Sequence, residues 1–296
     1  MQARVLKANI FLLITAAVWG SGFVAQRSGM DYVGPMTYNA VRFTIGALSL
    51  LPLIWILTRR GLSGPAPTPA GRALARRGAL VAGAVLFCGV ALQQIGLVQT
   101  TAGKAGFITG LYVVLVPFFG MAVGQRPGTG GVLGALLAAA GLYYLSVTDG
   151  FSLAPGDLWV VACAVFWAVH VHILGWLSPR VDCVRLACAQ FAVCSAIHWV
   201  AALLAEDISW AALCAGWFPI VYGGIMPVGV AYTLQVVAQK DAPPTHAAVI
   251  LSLEAVFAAL CGWAVLGEVM GLRTALGCAL MLAGMLLTQL WPARRA

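Results

Sequence analysis

The chain has 296 residues, of which 61 % are hydrophobic and only 9 % charged, with a mean hydropathy of +0.94 and a net charge of +8. A water-soluble domain carries about 25 % charged residues because its surface faces water, so this composition excludes a soluble globular protein and leaves lipid as the solvent. The basic balance suggests nucleic acid at first sight, but the placement of the charges assigns them to a membrane surface instead.

Runs of about 20 apolar residues, each able to cross a hydrocarbon core about 30 Å thick, place transmembrane helices at 8–26, 36–57, 78–98, 104–124, 130–147, 157–177, 184–204, 213–238, 246–267 and 272–291. The first run continues through Trp19 and Phe23 and lacks an A-x-A-like cleavage site, so it reads as a span rather than a signal peptide. Between the second and third, the Pro/Gly/Ala stretch 61–71 reads as a flexible loop. Pro117 and Pro227 fall inside the fourth and eighth spans and should kink them, each freeing a backbone carbonyl. The fifth span is short and Gly-rich. No stretch is long enough for a soluble domain. The eight cysteines lie mostly in apolar runs without metal-ligand spacing, so they read as small packing residues, and neither a metal nor a cofactor is expected. The expected fold class is an all-α integral membrane protein.

Alternate loops differ sharply in charge. One side holds Arg4, Lys7, Arg59, Arg60, Arg72, Arg76, Arg77, Arg126, Arg180, Arg185, Lys240, Arg294 and Arg295. The other holds only Arg27, Lys104 and Arg273 among the basic residues, together with most of the acidic ones. The positive-inside rule therefore puts both termini in the cytoplasm, with the basic residues beside anionic lipid. That placement accounts for the charge without nucleic acid, and Trp55, Trp159, Trp176, Trp210 and Trp291 fall near span ends as interfacial tryptophans should.

The two halves of the chain repeat one another. Leu133-Gly134-x-x-Leu137-x-x-Ala140-Gly141 returns 143 residues later as Leu276-Gly277-x-x-Leu280-x-x-Ala283-Gly284. Trp19 matches Trp167, and Arg42-Phe43 matches Gln190-Phe191, both at an offset of 148. Leu92-Gln93 matches Leu234-Gln235 and Ala105 matches Ala247, both at 142. With five spans in each, the halves 1–148 and 149–296 enter the membrane from opposite sides, as inverted repeats about an axis in the membrane plane. Such symmetry supplies two arrangements of similar energy, one open to each side, with cargo near the midplane.

Ala17-Val18-Trp19-Gly20-Ser21-Gly22-Phe23 resembles the first-helix signature of the EamA-type carriers of the drug/metabolite transporter superfamily. Leu253 to Leu260, running on to Leu266-Gly267-Glu268, resembles their ninth-helix signature, and Ala102 to Ile108 the opening of their fourth. The resemblance spans essentially the whole chain. One departure is Ala255, where the family commonly has proline, so a softened hinge is expected there. Within the superfamily the chain looks most like bacterial exporters of amino acids, the aromatic amino acid exporters among them. That resemblance implies an inner-membrane exporter in which the first four helices of each half surround a central cavity, with the fifth and tenth outside it.

Glu254 is the one carboxylate deep in an expected span, and intramembrane ionisable groups are functional candidates because they are costly there. It suits an ammonium group or a proton, or else hydrogen bonds between helices. Arg42 lies about six residues into the second span. It reads as a structural or gating residue reaching the outer interface or capping helix carbonyls, with a clamp for a substrate carboxylate as the alternative. Trp19, Phe23 and Gln26 share one helical face, and Trp167 and His170 share another. Trp19, Phe23, Trp167 and His170, with Gln93, Tyr112 and Glu254, form the candidate substrate-binding set, and Tyr222 is a weaker candidate. The aromatics suit an amphipathic cargo and its ammonium, or ordinary packing. Pro117 and Pro227 are the candidate hinges. No paired carboxylates, Ser/His set or HExxH-like site supports an enzyme, and no ring of like charge supports a channel. A membrane scaffold remains the bland alternative, and sugar-phosphate cargo would call for more cavity cations than Arg42 and Lys104. The expected partners are a small-molecule substrate and lipid, and nothing in the sequence sets an oligomeric state.

Overall fold

The computed structural model describes residues 2–62, 68–100, 102–125, 128–146, 155–266 and 271–291. Among them every regular element is helical: α1 (Gln2–Gly29), α2 (Pro35–Arg59), α3 (Pro69–Gln99), α4 (Ala102–Gly110), α5 (Tyr112–Ala122), α6 (Thr129–Ser146), α7 (Pro155–Leu177), α8 (Cys183–Ala205), α9 (Trp210–Ala215), α10 (Trp217–Gly223), a π-helical stretch (Gly224–Tyr232), α11 (Thr233–Ala238), α12 (Pro244–Leu251), α13 (Glu254–Leu266) and α14 (Leu272–Leu290). Eight helical stretches are long and apolar enough to cross a membrane, and two shorter apolar helices cover 129–144 and 272–288.

Several expected elements change shape. α3 begins at Pro69, well before residue 78, because Thr68 caps it by accepting a hydrogen bond from Gly71 N, and proline at the first helical position needs no donor partner. The part of the expected loop at 63–67 lies outside the described residues, as do Arg126, Asp149 and Glu268. The eighth span is interrupted at Gly216. Pro227 then sits in a π-helical turn, the wider winding that proteins use to absorb a missing backbone donor. In the fourth span the break falls at Leu111 and not at Pro117, which lies inside α5. The ninth span breaks at Ser252–Leu253 even though Ala255 stands in place of proline. Both breaks use the same tightened turn. Leu111 N donates to Ile108 O and Leu253 N to Ile250 O, each at 3.2 Å, and each residue pair is related by the offset of 142.

The two halves interleave rather than fold side by side. α2 lies on α8, α3 on α7 and α8, α1 on α13 and the π-helical stretch, and α6 on α14. Asn39 meets His198 while Arg185 reaches Thr58, so α2 and α8 run antiparallel. α6 and α14 run antiparallel too. A Cβ on Gly134 would stand 2.6 Å from Gly284 O, and one on Gly141 would stand 2.6 Å from Gly277 O. The first glycine of each repeated motif therefore faces the last glycine of the other, and only hydrogen allows the backbones so close. Gly134→Leu is expected to pry these helices apart and cost about 1–3 kcal/mol, read as a lower midpoint in unfolding of the detergent-solubilised protein. Ligand binding should survive where the protein stays folded, since neither helix lines the central cavity described next.

A carboxylate ties the two halves together at one end of this bundle. Pro35 starts α2 and has no N–H, so the first donors in need of partners are Met36 N and Thr37 N. Glu206, just after α8, accepts from both at 2.8 Å and from Thr37 Oγ1 at 2.7 Å. Gly34 makes room for it, because a Cβ there would collide with that carboxylate. Glu206→Ala leaves these donors unpaired and should cost about 1.5–3 kcal/mol of stability, measurable in the same unfolding experiment. Glu206→Gln should recover part of it.

Candidate functional site

A narrow cavity of about 30 Å3 lies at the centre of the bundle, lined by Trp19, Phe23, Gln26, Arg42, Gln93, Thr109, Tyr112, Trp167, Val171, Pro227, Tyr232, Gln235, Leu251 and Glu254. Its wall is largely apolar with a few directed polar groups, the character that small-molecule sites share. The spacing of Trp19, Phe23 and Gln26 along α1 turns all three toward it. Thr109 and Tyr112 flank the break between α4 and α5, and Leu251 and Glu254 flank the break between α12 and α13. Both breaks thus deliver side chains to the wall, a use that interrupted membrane helices serve.

The lining follows the duplication closely. Trp19 with Trp167 and Phe23 with Val171 are pairs at the offset of 148. Gln93 with Gln235, Thr109 with Leu251, and Tyr112 with Glu254 are pairs at 142. Five pairs of equivalent residues therefore share one wall.

Its aromatic side is closely packed. The Tyr232 ring lies 4.6 Å from that of Trp19 and 5.8 Å from that of Trp167, nearly parallel to the latter, and the two indoles are 6.3 Å apart. Trp19 Nε1 donates to Pro227 O at 3.3 Å, so the carbonyl of the π-helical proline anchors the indole. Arg42 and Glu254 share the cavity, 2 % and 3 % exposed. Neither has an ion-pair partner among the described residues. Glu254 Oε1, Gln235 Oε1 and Tyr112 Oη are buried without a hydrogen-bond partner, each at a cost of about 1–3 kcal/mol that a polar ligand would recover.

The sequence-derived set is only partly gathered here. Trp19, Phe23, Gln93, Tyr112, Trp167 and Glu254 line the cavity, together with Arg42 and Pro227. Arg42 does not reach the outer interface as expected, because its Nε–H is held at 2.8 Å by Asn39 Oδ1 deep in the bundle. His170 and Pro117 are not part of the wall. His170 lies three residues beyond Trp167, about 60° off its direction, whereas Val171 lies about 40° off on the other side and takes the wall position. The imidazole sits fully buried behind Trp167, its Nε2 paired at 3.0 Å with Oε1 of Gln190, the repeat counterpart of Arg42. Pro117 is buried beside Val116, whose carbonyl accepts from His172 Nε2 at 2.7 Å. Tyr222 shares a 2.6 Å hydrogen bond with Ser21. The side chain of Lys104 lies outside the described residues. Sequence reasoning missed Thr109, Val171, Tyr232, Gln235 and Leu251. The repeat offsets carry the signal for Val171 and Gln235, which match Phe23 and Gln93, whereas Thr109 and Leu251 match only each other. No cluster of His, Cys, Asp and Glu suited to a metal occurs among the described residues.

Comparison with known proteins agrees with this architecture. The profile of the EamA-like transporter family matches residues 6–147 and again 154–290. An uncharacterized transporter of Archaeoglobus fulgidus is 32 % identical over 271 residues, which cover 90 % of this chain and 80 % of that protein. The uncharacterized transporter YwfM of Bacillus subtilis is 27 % identical over 299 residues, covering 98 % of this chain and 97 % of its own. A solved structure described only as the crystal structure of a protein superposes with a TM-score of 0.78 over 96 % of each chain, at 24 % identity, and shows the fold. With both halves matched by the same profile, the chain belongs to the EamA-like transporter family.

Proposed function

We propose that this transporter is an inner-membrane exporter of amino acids with apolar or aromatic side chains, or of similar zwitterionic amphipathic metabolites, working by alternating access. Ten membrane-crossing helices in two inverted repeats, 1–148 and 149–296, with both termini cytoplasmic, form its frame. The observation that carries the reading is one cavity holding Arg42 and Glu254, neither paired, beside the aromatic wall of Trp19, Trp167 and Tyr232. A planar guanidinium fork suits a carboxylate, Glu254 suits an ammonium, and the aromatic faces suit both an apolar side chain and a cation. The single guanidinium among the lining residues favours a carboxylate over a doubly charged phosphate. Alternating access is supported by the five pairs of residues, at offsets of 142 and 148, that share the cavity wall. Export is carried by the resemblance to amino acid exporters, and the cytoplasmic termini by the loop charges.

Purified protein in liposomes, loaded with each amino acid of a panel and tested for counterflow with and without a pH gradient, tests the reading. Saturable exchange of phenylalanine, tryptophan or leucine supports it. No exchange of any amino acid overturns the cargo assignment, and indifference to the gradient excludes proton coupling.

A further inference from the structure

Arg42 does not stand alone at the cavity; a chain of hydrogen bonds through three helices holds it from behind. Its Nε–H donates to Asn39 Oδ1 at 2.8 Å. The Asn39 amide is fully buried, and its Nδ2 faces Val90 O of α3 at 3.2 Å and His198 Nε2 of α8 at 3.1 Å. His198 Nδ1 in turn lies 2.8 Å from Cys194 O.

The direction of every bond in this chain is determined. Carbonyl oxygens only accept, so the Asn39 NH2 must face Val90 and the histidine proton must sit on Nδ1 toward Cys194. His198 Nε2 then carries a bare lone pair, which accepts the second Asn39 hydrogen. Both amide hydrogens are spent, and Asn39 Oδ1 is left facing Arg42. A turned amide would set donor against donor at Nε. The histidine ring is itself wedged, parallel to Phe43 at 6.1 Å and edge-on to Phe87 at 4.5 Å. Arg42 Cζ lies 5.2 Å from the rings of both Tyr38 and Phe43.

Only one of five guanidinium N–H groups is consumed this way. The Nη1 and Nη2 edge, the fork that matches a carboxylate, carries no protein carboxylate among the described residues. We infer that Asn39 and His198 are positioning residues: they set the plane of the Arg42 fork at the cavity and so determine how well it receives the anionic end of a cargo. The inference rests on the reading of the cavity as a cargo site and assigns a role to two residues outside its wall. The repeat does not duplicate this arrangement. Ala187 stands where Asn39 has its counterpart, and Gln190 where Arg42 does, so the oriented charge belongs to one half only.

The test compares binding of phenylalanine and of phenethylamine, which lacks the carboxylate, to purified folded protein in detergent. Asn39→Leu is expected to weaken phenylalanine about tenfold and His198→Phe, which keeps the ring packing, about threefold, with phenethylamine unchanged in both. His198→Gln, whose amide oxygen can accept from Asn39, should return phenylalanine close to the wild-type value. Equal weakening of both ligands, or none, overturns the positioning role and leaves the cavity reading in place. A wild type that binds neither ligand overturns the cavity reading. The relay is then decided by the 15N spectrum of histidine-labelled protein, with His198 assigned by its loss in the glutamine variant: a protonated Nδ1 and bare Nε2 are expected, and a proton on Nε2 contradicts the relay.

Discussion

Replacing Arg42 with leucine is expected to lower the affinity for phenylalanine at least about thirtyfold, because removing one partner of a buried charge contact costs about 2–5 kcal/mol. The same substitution should barely change binding of phenethylamine. Discrimination between the two ligands is the informative quantity, since a misfolded variant would lose both. The size of the effect follows from the setting: the guanidinium is 2 % exposed, Asn39 takes one of its donors, and no other cation lines the cavity among the described residues. Asn39 Oδ1 loses a partner in the variant, so a modest loss of thermal stability should accompany the loss of affinity.

Glu254→Gln should produce the opposite pattern. The carboxyl group stands at the first position of α13 with Oε1 unpartnered, in a wall it shares with Trp19, Trp167 and Tyr232. Glutamine keeps the volume and the hydrogen-bonding reach and removes the charge. Phenethylamine and phenylalanine should both weaken by about tenfold to a hundredfold, as expected for a buried charge-assisted contact. A cargo analogue without the ammonium, such as 3-phenylpropionate, should bind at least as well as it does to the wild type. Crossing the two variants with the three ligands assigns each end of the cargo to its residue. An Arg42 variant that loses the amine as strongly as the carboxylate would remove that assignment.

The parts of the fold legible in the sequence are those written in local pattern. Spans follow from hydropathy alone, and the first-helix face follows from spacings of four and three residues. Trp19 pointed to Trp167 because a duplication makes one residue evidence for another. The same arithmetic would have delivered Gln235 from Gln93, a pair quoted for its offset yet not carried into the site. Tyr232 has no equivalent on the wall, and its place depends on how the π-helical turn after Gly223 rotates the residues beyond Pro227. The breaks at Leu111 and Ser252–Leu253 were illegible for a related reason. Proline and glycine mark places where a helix can yield, but these breaks follow from how both ends pack, and Pro117 drew attention to the wrong turn. Arg42 was misread because a residue six positions from a helix end ordinarily extends toward water. What holds it inward, Asn39 on its own helix and His198 and Val90 on two others, is tertiary structure. His170 shows the converse: a shared face at i, i+3 is wide enough to include a residue that points just past the wall.

The interleaving of the halves also bears on motion. α2 on α8 and α6 on α14 are antiparallel contacts, and in the proposed alternating-access cycle an exchange of conformation between the halves would preserve those interfaces and rearrange the rest. Glu206, which bonds the start of α2 from the other half, sits where such a rearrangement would be felt. It is a natural pair of positions for a spectroscopic distance probe.

If the cavity ringed by residue pairs at the two offsets is the cargo site, a photoreactive cargo analogue should label its wall. Purified wild-type protein is irradiated with azido-phenylalanine, and the modified residues are mapped by mass spectrometry with and without excess phenylalanine. Label on Trp19, Tyr112, Trp167 or Tyr232 that excess phenylalanine removes is the predicted result. Label confined to the outward faces of α6 and α14, or cavity label that phenylalanine does not displace, would contradict it.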